Sequence, residues 1–394
     1  MPVSTGYEMP FTPQEFRERI EILCTELQKA GLDALICTSP ESIYYLCGYE
    51  GYSYTDQQCI VVQANGSRTT LIIRDIDAAL ANGDAGQACI DELRPYRYPV
   101  DDPGALAWGS LVRSGAASLR VGVERVPEEG TPPVVARIAE GAPPWATLVT
   151  ADNMVGRLRI RKRPAELAYM RQAAAIAKDG LDVAFAYLRP GISEIDFASE
   201  IEYRLRQCGS QESGIPTLVE SGPRTTAAHS MPTARVIREG EPVRFAFGAV
   251  RRRYHVTTYQ SAFLGNVDQT YERCFNASRE ALDILRSGIK PGVPMSAPCI
   301  TARKVLENHG ISHGNMGRWG YGVGIAFEPG WGEPYAINEY ATETFKTGMT
   351  FCLHVTMSLP EHSFGFTVGA DYLLDAGGLH LINQVEPALR IINT

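Results

Sequence analysis

Among the seven histidines, His229, His255 and His354 stand where an imidazole could do chemistry. His229 lies in Ser221-Gly222-Pro223-Arg224-Thr225-Thr226-Ala227-Ala228-His229-Ser230, a loop of small residues between two strand-like runs. Small neighbours leave an imidazole open to a substrate, which a general acid or base requires. Arg224, in the same loop, is a candidate substrate contact. The plainer alternative for His229 is loop hydrogen bonding. His255 follows Arg251-Arg252-Arg253-Tyr254, a basic hairpin tip entering a strand over 255–263. Alternation puts Thr257, Tyr259 and Ser261 on the same strand face as His255. The arginine triplet reads as a solvated turn, with an anion anchor as the sharper alternative. His354 sits inside Thr350-Phe351-Cys352-Leu353-His354-Val355-Thr356-Met357, an apolar strand. A buried imidazole must find a partner or stay neutral, so its plain reading is a satisfied core histidine. His309, His313, His362 and His380 lie in polar or turn-like stretches and read as solvated or capping groups.

The segment Tyr321 to Glu333 is rich in glycine and aromatic residues. It has neither the G-x-G-x-x-G order nor a lysine after its glycines, so a phosphate loop is not supported. An aromatic pocket lip fits better, with Tyr321 or Trp331 able to face an organic cation. G-x-S-x-G is absent, which leaves no basis for an α/β-hydrolase nucleophile elbow.

The elements that must position these residues fall into two α/β regions. Over residues 1–152, Thr12-Pro13-Gln14-Glu15 is a capping box with proline at the first helical position, flanked by Phe11 and Phe16 as a hydrophobic staple. Strands are expected at 34–37, 59–62, 70–73 and 119–123, with Asn65-Gly66 turning a hairpin. Over residues 153–394, Pro164 opens a long helix, and a structural repeat follows. Pro190-Gly191 recurs as Pro291-Gly292, and the helix-ending Gly209 recurs as Gly310, in both cases 101 residues on (190 to 291, 209 to 310). Two copies of helix–turn–helix–strands around a pseudo-twofold axis are therefore expected, in an α/β (α+β) architecture.

Composition excludes several functions. A net charge of −8 speaks against a nucleic-acid surface. No run of about 18 apolar residues exists to span a membrane. Met1 to Glu8 shows no basic segment leading into an apolar core, so no secretory signal is read. The nine scattered cysteines, with no C-x-x-C, read as reduced thiols of a cytoplasmic protein.

Taken in order, Met154 to Met170, the His229 loop, Arg253-Tyr254-His255, Gly322-x-Gly324 and Gly348-Met349-Thr350-Phe351 resemble the pita-bread superfamily of methionine aminopeptidases, prolidases and creatinase. Within it the chain looks most like the creatinase and ectoine hydrolase group, through Gly48-Tyr49-Glu50-Gly51-Tyr52-Ser53, Phe263-Leu264-Gly265 and Trp331-Gly332-Glu333. The resemblance implies a creatinase-like N-terminal domain and a C-terminal pita-bread domain. Metallopeptidases of this kind hold two metals through two aspartates, a histidine and two glutamates. Motif matching puts Ala246, Thr257, Val323, His354 and Ala370 at those positions, so one donor of five is left and no metal or other cofactor is expected. His229 matches the creatinase histidine loop, while Tyr259 and His354 take the places of its substrate-binding glutamates. Ala246 replaces the ectoine hydrolase nucleophile.

The resemblance therefore implies a metal-free enzyme acting on a small nitrogen-containing or amino-acid-like molecule. His229, His354 and Tyr259 are its catalytic candidates. Ala246, His255, Thr257, Tyr321, Val323, Trp331, Arg224 and Tyr54 are expected to line the substrate site. C–N hydrolysis, elimination, isomerisation and ring closure all suit such a set. A binding or scaffold protein that kept the fold is the alternative. A homodimer is also implied, in which the stretch from Tyr49 to Gln57 closes the partner's pocket.

Overall fold

The computed structural model describes residues 8–51, 57–81, 90–112, 118–124, 133–151, 153–328 and 330–393. The chain divides into two compact units, Met1–Arg159 and Ile160–Thr394. The division falls one short helix beyond the expected boundary at 152/153, because the helix Met154–Arg159 buries Met154 and Val155 and belongs to the first unit.

The first unit contains α1 (Pro13–Lys29), β1 (Ala34–Cys37), α2 (Pro40–Cys47), β2 (Cys59–Gln63), β3 (Thr69–Arg74), α3 (Ala78–Ala81), β4 (Glu92–Tyr96), α4 (Pro103–Gly109), β5 (Leu119–Val123), α5 (Pro133–Glu140), β6 (Ala146–Thr150) and α6 (Met154–Arg159). Thr12 caps α1 by accepting the Glu15 amide, and Phe11 packs edge-on against Phe16 with ring centroids 5.8 Å apart. This is the staple expected from their spacing. The six strands form one mixed sheet in the order β4-β3-β2-β1-β5-β6. β2 and β3 pair antiparallel around Asn65-Gly66, as the turn dipeptide requires.

The second unit contains α7 (Pro164–Tyr187), α8 (Glu194–Gln207), β7 (Leu218–Ser221), β8 (Pro242–Arg251), β9 (Tyr254–Leu264), α9 (Gln269–Ser287), α10 (Ser296–Asn308), β10 (Gly320–Val323), β11 (Gly332–Ile337), β12 (Met349–Leu359), β13 (Phe364–Asp375), β14 (Gly378–Leu381) and β15 (Arg390–Ile392). The expected repeat is present. Each half is a helix pair followed by a long antiparallel hairpin, α7-α8 with β8-β9 and α9-α10 with β12-β13. Gly191 and Gly292 both turn at positive φ, +93° and +87°, where a residue with a Cβ is disfavoured. One sheet runs β11-β10-β12-β13-β9-β8-β7, so the halves meet at β13 and β9.

Register decides which residues share the sheet's two faces. Directly paired residues point the same way. Ala246 pairs with Tyr259, Tyr259 with Gly369, and Gly369 with His354, which makes one row across four strands. Alternate residues Leu353, Val355, Val368, Ala370 and Tyr372 turn to the other face and join the core with Phe275 and Leu282 of α9. Ala370 is thus a core residue, and Gly369 is the residue of β13 that stands opposite His354.

Candidate active site

The face opposite the helices gathers the chemistry. Thr257 and Tyr259 come from β9, Tyr321 from β10, Cys352 and His354 from β12, and Asp371 from β13. Four rings close into a cluster. The His354 ring lies 5.3 Å from Tyr259 and 5.8 Å from Tyr321, and Trp331 lies 5.5 Å from Tyr259 and 6.4 Å from Tyr321. The two phenol oxygens are 2.7 Å apart. Burial pushes both phenols up, so they are neutral donors at neutral pH. The cluster stands beside the small residues Ala246 and Gly248. A Cβ at Gly248 would meet the Trp331 ring at 3.3 Å. Trp331 therefore packs against the bare backbone of Gly248.

His354 is 7% exposed. Its Nδ1 is 3.0 Å from the Thr356 hydroxyl, and its Nε2 has no hydrogen-bond partner among the described residues. Burial, then the positive charges of Arg318 and His229, push its pKa down to about 3. The imidazole is consequently neutral, a hydrogen-bonding group rather than a charge. His229 lies in an exposed turn, yet near enough to His354 for its charge to be felt there. The guanidinium of Arg318 covers the Tyr321 ring at 4.5 Å and has no ion pair among the described residues.

Beneath the rings, Asp371 is fully buried and accepts the Thr257 amide at 2.6 Å and the Thr257 hydroxyl at 2.5 Å. Asn383 completes this clasp, donating to the Thr257 carbonyl at 2.9 Å and accepting the Asp371 amide. Burial pushes the Asp371 carboxyl up to about 7 despite those bonds.

Other expected contacts are placed differently. Arg224 is tied to α8 and to its own loop, donating through Nε to Glu194 at 3.2 Å and through Nη2 to the Met231 carbonyl at 2.9 Å. His255 is fully buried, with Nδ1 3.0 Å from the Arg253 carbonyl and Nε2 3.6 Å from Glu212. Both are structural groups here. Val323 is fully buried, and its carbonyl accepts the Thr350 hydroxyl at 2.7 Å. Tyr54 lies outside the described residues. Asp371, Cys352 and Arg318 carried no signal at the sequence level. Only the register of β13 against β12, and the turn into β10, bring them to this face.

A family model described as metallopeptidase family M24 matches residues 168–385, and one for the creatinase/prolidase N-terminal domain matches residues 19–161. The fold and this face define a pita-bread protein. The chain belongs to metallopeptidase family M24, a hydrolase family, and carries its creatinase-type N-terminal domain. It is similar to an uncharacterized hydrolase/peptidase of Sinorhizobium fredii, 27% identical over 406 residues that cover 100% of both chains. It is also similar to the ectoine hydrolase of Halomonas elongata, 26% identical over 389 residues that cover 94% of this chain and 95% of that one. The solved dipeptidase PepE of Mycobacterium ulcerans shares the fold at a TM-score of 0.84 and 20% identity, over 98% of this chain and 100% of that one.

The family name implies metal ions, and the donors on this face do not fit them. Both oxygens of Asp371 are taken by Thr257, and Cys352 is buried with its thiol pushed well up. His354 is a single imidazole. Ala246 and Gly369 offer no donor. Among the described residues no group of three or more His, Cys, Asp or Glu side chains could hold an ion.

No helix among the described residues is long and apolar enough to cross a membrane.

Proposed function

We propose that this protein is a metal-independent hydrolase that cleaves a C–N bond in a small amino-acid-like molecule. The observation that carries the reading is the ring cluster of Tyr259, Tyr321, Trp331 and His354 on the face that also holds Ala246 and Thr257, two donor-poor positions that the family resemblance aligns with metal ligands. The reading draws on three further features. An exposed imidazole, His229, can take a proton from water and return it to the leaving nitrogen. The neutral phenols and the neutral His354 can donate to the oxygen that gains charge as water adds. Arg318, cationic and without an ion pair among the described residues, suits a substrate carboxylate at the edge of the rings. The similarity to an ectoine hydrolase points the same way, toward a small nitrogenous acid.

The test is a thermal-shift screen of small nitrogenous acids, followed by turnover assays on each hit. His229→Ala should lower turnover by ~10²–10⁴-fold, the usual contribution of a general acid or base. Undiminished turnover would remove His229 from the mechanism. A screen in which every ligand binds without being consumed favours a binding protein on the same fold. We also propose a homodimer, on the family resemblance, and a strict monomer by light scattering would overturn it.

A further inference from the structure

The turn that carries His229 is bracketed by one buried ion pair. Glu220 on β7 and Arg244 on β8 are cross-strand partners, 1% and 3% exposed. Arg244 Nε donates to Glu220 Oε2 at 3.2 Å. Each partner then reaches one end of the turn. Glu220 Oε1 accepts the Ser230 amide at 3.1 Å, and Arg244 Nη2 donates to the Ala227 carbonyl at 2.7 Å. Ala228 and His229 are the two residues between those anchors. Arg244 is two residues from Ala246 on β8, so it projects from the same face as the ring cluster. Behind the turn, Ser358 of β12 donates to the Thr226 carbonyl at 2.7 Å.

Such a pair is a poor device for stability alone. Taking two charges out of water costs several kcal/mol, and well-packed apolar residues commonly do as well or better. What apolar side chains cannot supply is a directed bond to a backbone amide on one side and to a carbonyl on the other. An exposed turn without such bonds samples many conformations.

We propose that Glu220 and Arg244 are positioning residues for His229, fixing both ends of its turn so that the imidazole is held toward the His354–Tyr259 face. The proposal rests on the reading of His229 as the proton carrier, and its test needs no turnover. In the full-length protein, Ser230 amide exchange and the rate of His229 modification by diethyl pyrocarbonate are measured, with His313 as internal reference. Glu220→Ala, which removes the acceptor of the Ser230 amide, should raise Ser230 exchange by roughly tenfold, the loss of one hydrogen bond of about 1.4 kcal/mol, and Arg244→Met should raise it less, by releasing Glu220 and the Ala227 end of the turn. Both should also change the His229 rate relative to His313. Glu220→Gln keeps an acceptor for the Ser230 amide and should hold exchange near the wild-type rate. Should either variant fail to fold, Arg244→Lys keeps the charge, loses the fork to Ala227, and answers the same question. Val243→Ala, a cavity in the same strand, controls for lost stability and should leave both readouts unchanged. Unaltered Ser230 exchange and His229 reactivity in folded Glu220→Ala and Arg244→Met would overturn the clamp. That outcome leaves the proton role to be judged by His229→Ala, and a dispensable His229 in turnover leaves the clamp to be judged here.

Discussion

Asp371 makes this protein's stability sensitive to pH in a direction opposite to that of an ordinary paired carboxylate. Its folded pKa is raised to about 7 from an ordinary 3.8, so the fold prefers the protonated form. The folded state then binds more protons than the unfolded chain between those two values, and stability falls as pH rises through that window. The contribution is complete below about 3.8 and is lost as pH passes about 7. Asp371→Asn keeps acceptor capacity for Thr257 and removes the titration. The stability of wild type relative to Asp371→Asn, read from urea unfolding, should shrink as pH rises from about 4 to about 7, by up to ~1.4 kcal/mol per pH unit. A difference that stays constant across the window would show that Asp371 is ionised in the fold throughout. Glu220, pushed to about 7 by burial, works in the same direction, and its bonds to Arg244 and Ser230 oppose the shift.

At the scale of elements, the site depends on how closely β12 and β13 approach. Gly369 stands opposite His354, and a Cβ there would lie 2.5 Å from the His354 Cβ and 2.6 Å from the Leu353 carbonyl. Neither neighbour is the end of a flexible chain. Gly369→Ala should therefore separate the strands or displace His354, at a cost of ~1–3 kcal/mol, the usual range for overpacking. Thermal unfolding checks the first consequence, and a shifted His354 imidazole resonance checks the second. An unchanged melting temperature with an unchanged resonance would mean that the strands yield without strain. The same pair of strands shows why part of the site was illegible in the sequence. The cap at Thr12, the Asn65-Gly66 hairpin and the spaced Pro-Gly turns are local signals, and each became the element it announces. The match of Ala370 to a ligand position is off the face by one residue, and in a strand one residue reverses the side chain. Arg224 and His255 look like site groups beside their neighbours in sequence. Their partners Glu194 and Glu212 lie 30 and 43 residues away (194 to 224, 212 to 255), so only the folded chain discloses that they are already engaged.

At the scale of the whole molecule, the M24 architecture is present, and we propose that it works without metal donors. Purified protein should contain no stoichiometric transition metal, and chelators should leave both its melting temperature and its turnover unchanged. Elemental analysis finding one or more tightly held ions per chain would overturn the metal-free reading. On the proposed site face, Tyr259, Tyr321 and Trp331 are rings that pack on one another and on His354. The two halves are joined across the β9–β13 seam by the Thr257–Asp371–Asn383 clasp and by Ser261, whose hydroxyl donates to the Thr367 carbonyl and accepts the Thr367 amide, both at 2.9 Å.

The ring cluster also equips the protein with its own optical probe. Of four tryptophans, Trp319 is fully buried, Trp108 nearly so, and Trp145 packs on Trp108 in the other unit. Trp331 is half-buried, beside the two phenols, of which Tyr321 lies under the Arg318 guanidinium. Its emission should shift when a ligand displaces water or Arg318 from the rings, while the other three indoles contribute a constant background. A substrate search can thus be run by intrinsic fluorescence on unlabelled protein, with Trp331→Phe as the silent control that tells occupancy of this face from binding elsewhere.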